Sequence, residues 1–426
     1  MKKSILLFSV VLVSFFGYSQ IDSGILGIDN WLENWTNFKP IDQEYKKTNK
    51  SIIGLITDDT TLSNRYTYLL QGVVYVTDNA TLTIEPGTII RGDHESNGTL
   101  VVTKGAKIIA EGTALNPIVF TSNKKRSARK PGDWGGIIIL GDAPVNTFGG
   151  VSSIGFDLES RFSTYGGDNI QSSSGILKYI RIEYSGGKLS SAKELNAISF
   201  AGVGDKTIIE NVQVSYSNDN SFEFIGGNLK MNNLISYRAI GNDFDFTKGT
   251  QSIINNSIAI RNPYSSGVKT SRSIEIDTYD KIENFDPSKD KTIVKANNIT
   301  LVNVEDNEQG LVKEAINLKK DSYLILNNSV VYGFRDFVVV DDVLIIEEFE
   351  EVIALNNVRI SHCKNDFSTN FKDEIMDLDI KYNYILNRVK ITDDKIEDFF
   401  INPDLKYSPD FRHISFENDM KNIVGN

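Results

Sequence analysis

Short apolar runs broken by Gly, Asn and Asp fill most of the chain from about Tyr68 onward. Alternation within runs such as T-L-T-I, T-L-V-V and F-E-F-I predicts strands with one buried face. Six asparagines stand in the middle of similar apolar runs: Asn211, Asn233, Asn256, Asn298, Asn328 and Asn357. Their spacings are 233−211 = 22, 256−233 = 23, 298−256 = 42, 328−298 = 30 and 357−328 = 29. A period in the low twenties, lengthened by insertions, predicts a solenoid of β-coils with one asparagine side chain per coil. The expected fold is all-β: a single-stranded right-handed parallel β-helix of roughly a dozen coils with an internal Asn column.

The first coils carry two related turns, Pro86-Gly87-Thr88 and Lys104-Gly105-Ala106, at 105−87 = 18. Glycine permits the backbone reversal there. Residues 142–174 are mostly Gly, Ser, Asn and Asp, and are expected to form a long excursion from the coil. The array resumes at Gly175, with insertions near 261–272, 278–291 and 304–313. Its expected span is 68–392, with 20–67 as an N-terminal aromatic and polar cap and 393–426 as a C-terminal cap. Trp31, Trp35 and Phe38 in the N-terminal segment are expected to cover the open end of the solenoid, whose core and strand edges need cover. A sugar-stacking patch is the other reading of the same aromatics. Residues 1–19 read as a secretory signal: Lys2 and Lys3, then an apolar stretch from Ile5 to Phe16, then small residues Gly17 and Ser19 before a cut.

Composition adds constraints. With 45 basic and 56 acidic residues the formal net charge is −11, which argues against nucleic acid or an anionic bilayer as the main partner. The single cysteine, Cys363, cannot form an intrachain disulfide and is expected to be a buried, inert thiol. No apolar segment after the signal approaches membrane length.

The candidate chemistry follows from the register. From Asn211 to Glu223 is 12 residues, and from Asn233 to Asp245 is also 12. Phe222 and Phe224 flank Glu223, and Phe244 and Phe246 flank Asp245, so alternation sends the acids outward. Glu275 takes the same place one coil further, after an insertion, and Ser199 one coil earlier. The predicted outward row is Ser199, Glu223, Asp245 and Glu275, with carboxylates about 5 Å apart. Asp219 and Asp243 lie on the flanking turns. Such a row of like charges calls for compensation, either by a cation or by basic side chains such as Lys230, Arg238 and Lys248. Calcium suits irregular oxygen ligation, so Asp219, Glu223, Asp243, Asp245 and Glu275 are the candidate metal ligands. Solubilising surface charge is the competing reading. No catalytic residue is assigned. The histidines are His94, His362 and His413, none followed by Gly, and there is no G-x-S-x-G.

Four motifs carry a resemblance: E-P-G-T-I-I-R-G, G-T-x-x-N-P-I-V-F-T-S (Gly112 to Ser122), G-D-W-G-G-I-I-I-L-G (Gly132 to Gly141) and S-N-D-N-S-F-E-F-I-G-G (Ser217 to Gly227). The chain resembles bacterial cell-envelope proteins with the right-handed parallel β-helix of the pectate-lyase-like superfamily. The resemblance implies a substrate groove on the sheet carrying Glu223 and the turn before it, with calcium held by its carboxylates. It also implies, in some members, association with outer-membrane transport systems. The expected function is an exported, non-catalytic β-helix in the periplasm or at the cell surface. It would bind a glycan or cell-envelope partner along its outer faces. The alternative is a calcium-dependent polysaccharide lyase or related glycan-active enzyme.

Overall fold

The computed structural model describes residues 23–189, 193–262, 271–304, 312–319, 321–340, 352–369 and 389–414. The signal segment 1–19, the acidic run 341–351 and the end of the tail lie outside the described residues. Among the described residues one parallel sheet system of 28 strands winds through the chain. Each coil contributes a strand to three faces. The ladder face precedes the asparagine turn, as in Gln251–Asn255 and Ile293–Asn297. The strap face follows it, as in Ile258–Arg261 and Thr300–Asn303. The acid face comes third, as in Phe222–Ile225 and Phe244–Thr247. On the strap face twelve strands stack in parallel, from 50–53 to Val389–Thr392. The first coil begins at Lys50, eighteen residues before the expected start (68−50 = 18), because Lys50–Ile56 already pairs in parallel with Thr67–Val76.

Alternation fills the interior with Leu, Ile, Val and Phe from all three faces. Phenylalanines of the acid face stack along the axis: Phe200 on Phe224 at 5.6 Å, Phe222 on Phe244 at 5.4 Å and Phe224 on Phe246 at 4.8 Å between ring centroids. Each buried ring contributes about 1.5–3 kcal/mol. This stack fixes which side chains of the face point outward.

All six predicted asparagines occupy the left-handed region, with φ between 48° and 56°. Asparagine tolerates that conformation because its short polar side chain bonds locally. The column is not internal, however. Asn211 is buried, but Asn233, Asn256, Asn298 and Asn328 are half-buried and Asn357 is exposed. The longer amide ladder runs one residue earlier, through outward positions of the ladder face. Asn255 donates to Asn232 at 3.1 Å, Asn297 to Asn255 at 2.9 Å, Asn327 to Asn297 at 2.8 Å and Asn356 to Asn327 at 2.8 Å. The left-handed column adds Asn256 to Asn233 at 2.8 Å and Asn357 to Asn328 at 2.9 Å.

The N-terminal segment does not cap an end. It runs as a strap along the side of the solenoid, crossing coil after coil. Ser23 Oγ donates to Asn357 O at 3.1 Å, Gly24 N to Asn328 O at 2.7 Å and Leu26 N to Asn256 Oδ1 at 2.6 Å. Asn37 N then reaches Gln213 Oε1 at 2.7 Å, and Tyr45 Oη reaches Glu183 Oε1 at 2.8 Å. At Gly24 (φ +80°) a Cβ would stand 2.8 Å from Thr300 Oγ1, so the close approach requires glycine. The physical reason for the strap lies on the face beneath it. The outward residues Ile235, Tyr237, Ile258, Ile260, Val302, Val330 and Tyr332 are apolar and need cover. Trp35 and Phe38 supply it; both are buried and so are not free for sugar stacking. The tail adds Phe399, Phe400 and Phe411 to the same cluster through an antiparallel pair, Phe400–Asn402 with Asp410–His413. It too packs laterally and not over an end.

The excursion covers the upper acid face in the same way. There the outward residues Tyr75, Val101 and Ile138 are apolar, and Val145, Ile154, Phe156 and Tyr165 pack on them. Cys363 is half-buried against the core, with its thiol pushed up to about 12 by burial. No helix of the described residues is long and apolar enough to cross a membrane.

Candidate functional site

Where the excursion ends, the outward positions of the acid face turn polar. Ser199 pairs in register with Glu223, Glu223 with Asp245, and Asp245 with Glu275. The structure therefore brings together the row expected from the sequence, across the insertion before Glu275 as well. Asn317 follows Glu275 in the same register.

A second row, three residues earlier on each coil, holds the first in place. Asn196 Nδ2 donates to Glu223 Oε2 at 2.5 Å and to Ser199 Oγ at 3.1 Å, while Ser199 Oγ donates to Glu223 Oε2 at 3.0 Å. Asn220 Nδ2 donates to Asp245 Oδ2 at 2.9 Å, and Asn242 Nδ2 to both Asp245 Oδ2 and Glu275 Oε2 at 3.1 Å. The carboxamides are themselves aligned by backbone: Asn242 N donates to Asn220 Oδ1 at 2.8 Å and Arg272 N to Asn242 Oδ1 at 3.0 Å. Arg272 continues this row, its guanidinium meeting Glu275 and Glu314, each at 2.5 Å. Lys319 closes the lower end on Glu275 and, at 3.6 Å, on Asp277.

These surroundings separate the carboxyl groups electrostatically. Burial, then the neighbouring Glu275, Glu223 and Asp277, push Asp245 well above the usual aspartate range. Burial also raises Glu223, against the pull of Lys193, Ser199 and Lys248. Burial would raise Glu275 as well, but Lys319 and Arg272 outweigh it and hold that carboxyl below its ordinary value. Asp245 thus carries a proton more readily than its neighbours. Oδ2 accepts both amides, and Oδ1 lies outside these bonds.

Two of the five expected metal ligands stand apart. Asp243 is fully buried and faces the inside corner, where Arg261 meets it at 2.8 Å and Ser236 Oγ donates to it at 2.5 Å. Its equivalents on adjacent coils are Ser221 and Ser273, also fully buried, so this position belongs to the interior. Asp219 stays half-buried on the preceding turn, its carbonyl accepting from Gly241 N at 3.3 Å. Among the described residues no group of three or more His, Cys, Asp or Glu side chains is placed to hold a metal ion. Amides, Arg272 and Lys319 already provide the compensation that the row demands. Of the basic residues considered from sequence, Lys248 acts on Tyr165 and Glu223. Arg238 instead stacks on Tyr237, at 5.4 Å from the ring centroid. Lys230 is exposed on the ladder face. The sequence reading missed Asn196, Asn220, Asn242, Arg272 and Lys319; the constant offset of three residues before Ser199, Glu223, Asp245 and Glu275 was the available signal for the first four.

Among the described residues, stacked coils with parallel register on three faces, twelve strands deep on the strap face, define a parallel β-helix. A family model described as a pectate-lyase-like β-helix domain matches residues 54–396, and the chain belongs to that family. Among solved structures, tailspike protein 2 from Escherichia coli O157:H7 bacteriophage CAB120 is similar at 10% identity, over 71% of this chain and 34% of the tailspike, with a TM-score of 0.26. The chain spans about a third of that tailspike's length, and the superposition is too loose to carry an argument. No curated protein matches the chain.

Proposed function

We propose that this protein binds a glycan along the acid face, as an exported β-helix working at the cell envelope. The observation that supports this reading is the double row itself. Carboxamides and carboxyls stand on successive coils at the strand repeat of about 4.8 Å, with Glu223 Oε1 and Asp245 Oδ1 outside every described hydrogen bond within the row. Asn196, Ser199, Asn242 and Glu275 are buried and hold the row rigid, while Glu223 and Asp245 stay partly exposed; carboxyl acceptors fixed at the coil repeat suit the hydroxyls of an extended sugar chain. The leader-like start from Lys2 to Ser19 supports export, and an envelope protein is the other partner such a rod would offer its faces to. The test is binding to an immobilised panel of neutral and acidic polysaccharides by wild type and by Glu223→Gln/Asp245→Asn. Retention of at least one glycan by wild type, weakened at least tenfold in the variant, is expected. Binding to no glycan, or equal binding by both, contradicts the reading.

The contrast between Asp245 and Glu275 favours a second reading, a glycan-active enzyme. A carboxyl raised above its ordinary range beside one held low is the pairing that a general acid and its partner need. In the calcium-dependent lyase form of this reading, Glu223 and Asp245 would be the ligands. Asp243 is committed to Arg261 and Glu275 to Arg272 and Lys319, so the donor set fits calcium poorly. Product absorbance from an acidic polysaccharide, abolished by chelation, would establish the lyase form. Turnover that survives chelation but not Asp245→Asn would instead establish acid catalysis.

A further inference from the structure

Just past the acid face, at the corner after Thr247, two insertions meet and leave a cleft of about 290 Å³. Asn146 of the excursion joins them. Its N–H donates to Lys248 O at 3.2 Å, its Nδ2 to Thr278 O at 2.8 Å, and its carbonyl accepts from Asp286 N at 2.9 Å. Thr147 and Phe285 extend the junction as an antiparallel bridge. Gly249 (φ +79°) lies beneath, where a Cβ would stand 2.6 Å from Asp290 O and 2.8 Å from Asn146 Cβ. The cleft is thus framed by backbone held on three sides.

The groups lining this cleft differ from those of the acid row in one respect. The row is largely satisfied within the protein, whereas the cleft is not. Among the described residues no hydrogen bond or ion pair engages the Asn228 amide, the Lys289 ammonium or the Asp290 carboxylate. Gln251 is fixed by its Nε2, which donates to Gly249 O at 3.1 Å and Lys291 O at 2.7 Å, leaving Oε1 as an acceptor. One cation and one anion cancel, so neither a strongly anionic nor a cationic ligand is favoured. Mixed donors and acceptors beside the apolar Pro144 and Val145 of the lining suit a hydroxylated ring with an apolar edge. The volume lies near the lower end of small-molecule sites, roughly 300 Å³ upward, and excludes a folded partner.

We infer that the cleft between the excursion and the 278–291 insertion is a binding subsite for one neutral sugar residue of the bound glycan. This rests on the glycan reading of the acid face and adds to it a second point of contact around the corner. The test uses the full chain and neutral hexasaccharides, among them cello-, malto- and manno-oligomers, in calorimetric titration. Asn228→Ala and Lys289→Ala are exposed-side changes expected to leave the melting temperature unaltered and to weaken wild-type affinity at least tenfold. Asn228→Trp, which fills the cleft, should abolish the same contribution. Affinity unchanged in all three, but lost in Glu223→Gln/Asp245→Asn, overturns the subsite and leaves the acid face standing. Loss in the cleft variants with none in the row variant keeps the subsite and overturns the row. No heat with any hexasaccharide overturns both.

Discussion

Asp245 and Glu275 lie opposite each other on neighbouring coils, and their carboxyl groups are driven in opposite directions. One amide, Asn242 Nδ2, bridges them at 3.1 Å to each. The difference comes from what stands beside the row: Arg272 and Lys319 bond directly to Glu275, while Asp245 is hydrogen-bonded by amides and faces Glu275, Glu223 and Asp277.

A pH dependence follows. Asp245 is raised above its ordinary 3.8, so the folded state holds its proton more tightly than the unfolded chain. Its contribution is fully present below pH 3.8 and is lost as pH rises through the folded value. Asp245→Asn removes this term. The melting temperatures of wild type and variant should diverge as pH rises from about 4 to 8, with the variant higher at pH 8. Parallel curves in differential scanning calorimetry contradict the raised value.

Arg272 is the counter-charge for a largely buried Glu275 and also meets Glu314. Arg272→Met leaves both acids short of a partner, with Lys319 remaining. A loss of about 2–3 kcal/mol in urea unfolding is expected, below the ~3–5 kcal/mol of a fully broken buried pair. Adding Glu275→Gln should recover part of it; no recovery would mean that the arginine acts through packing alone.

The amide ladder makes a positional prediction. Asn297 both donates to Asn255 and accepts from Asn327, whereas Asn232 at the start of the ladder accepts from Asn255. At about 0.5–1.5 kcal/mol per bond, Asn297→Ala should cost about 1–3 kcal/mol and Asn232→Ala about half as much. Equal costs in chemical denaturation would mean that the ladder bonds contribute little.

The strap is part of the folded unit. Trp35 is 1% exposed between the strap and Tyr179, so Trp35→Ala should cost about 3–5 kcal/mol. A drop in stability of under 1 kcal/mol would show the strap to be a loosely attached segment.

Much of this was legible in the sequence, and the misses have physical causes. The period between Asn211 and Asn256 gave a register in which Glu223 and Asp245 are partners, because strand alternation and coil stacking are local rules. The same rules failed at Asp243, one residue before its strand, where the chain is still turning and Arg261 draws the carboxylate inward. Two adjacent asparagines recur in five coils, and only the outward pitch of the strand decides that Asn232 and its counterparts carry the unbroken ladder. The strap was misread because its contacts, such as Leu26 with Asn256, span most of the chain and leave no local pattern. The Asn196, Asn220 and Asn242 row stands a constant three residues before Ser199, Glu223 and Asp245, and nothing else in the sequence sets it apart. Its role depends on amide direction, which spacing does not encode.

The most direct measurement is hydrogen–deuterium exchange of the full chain with and without a glycan that it retains. The acid-face account predicts protection concentrated in 196–201, 220–226, 242–249 and 272–277, with the ladder face unchanged. Protection confined to the ladder face or to the strap, with none around Glu223 and Asp245, would contradict it.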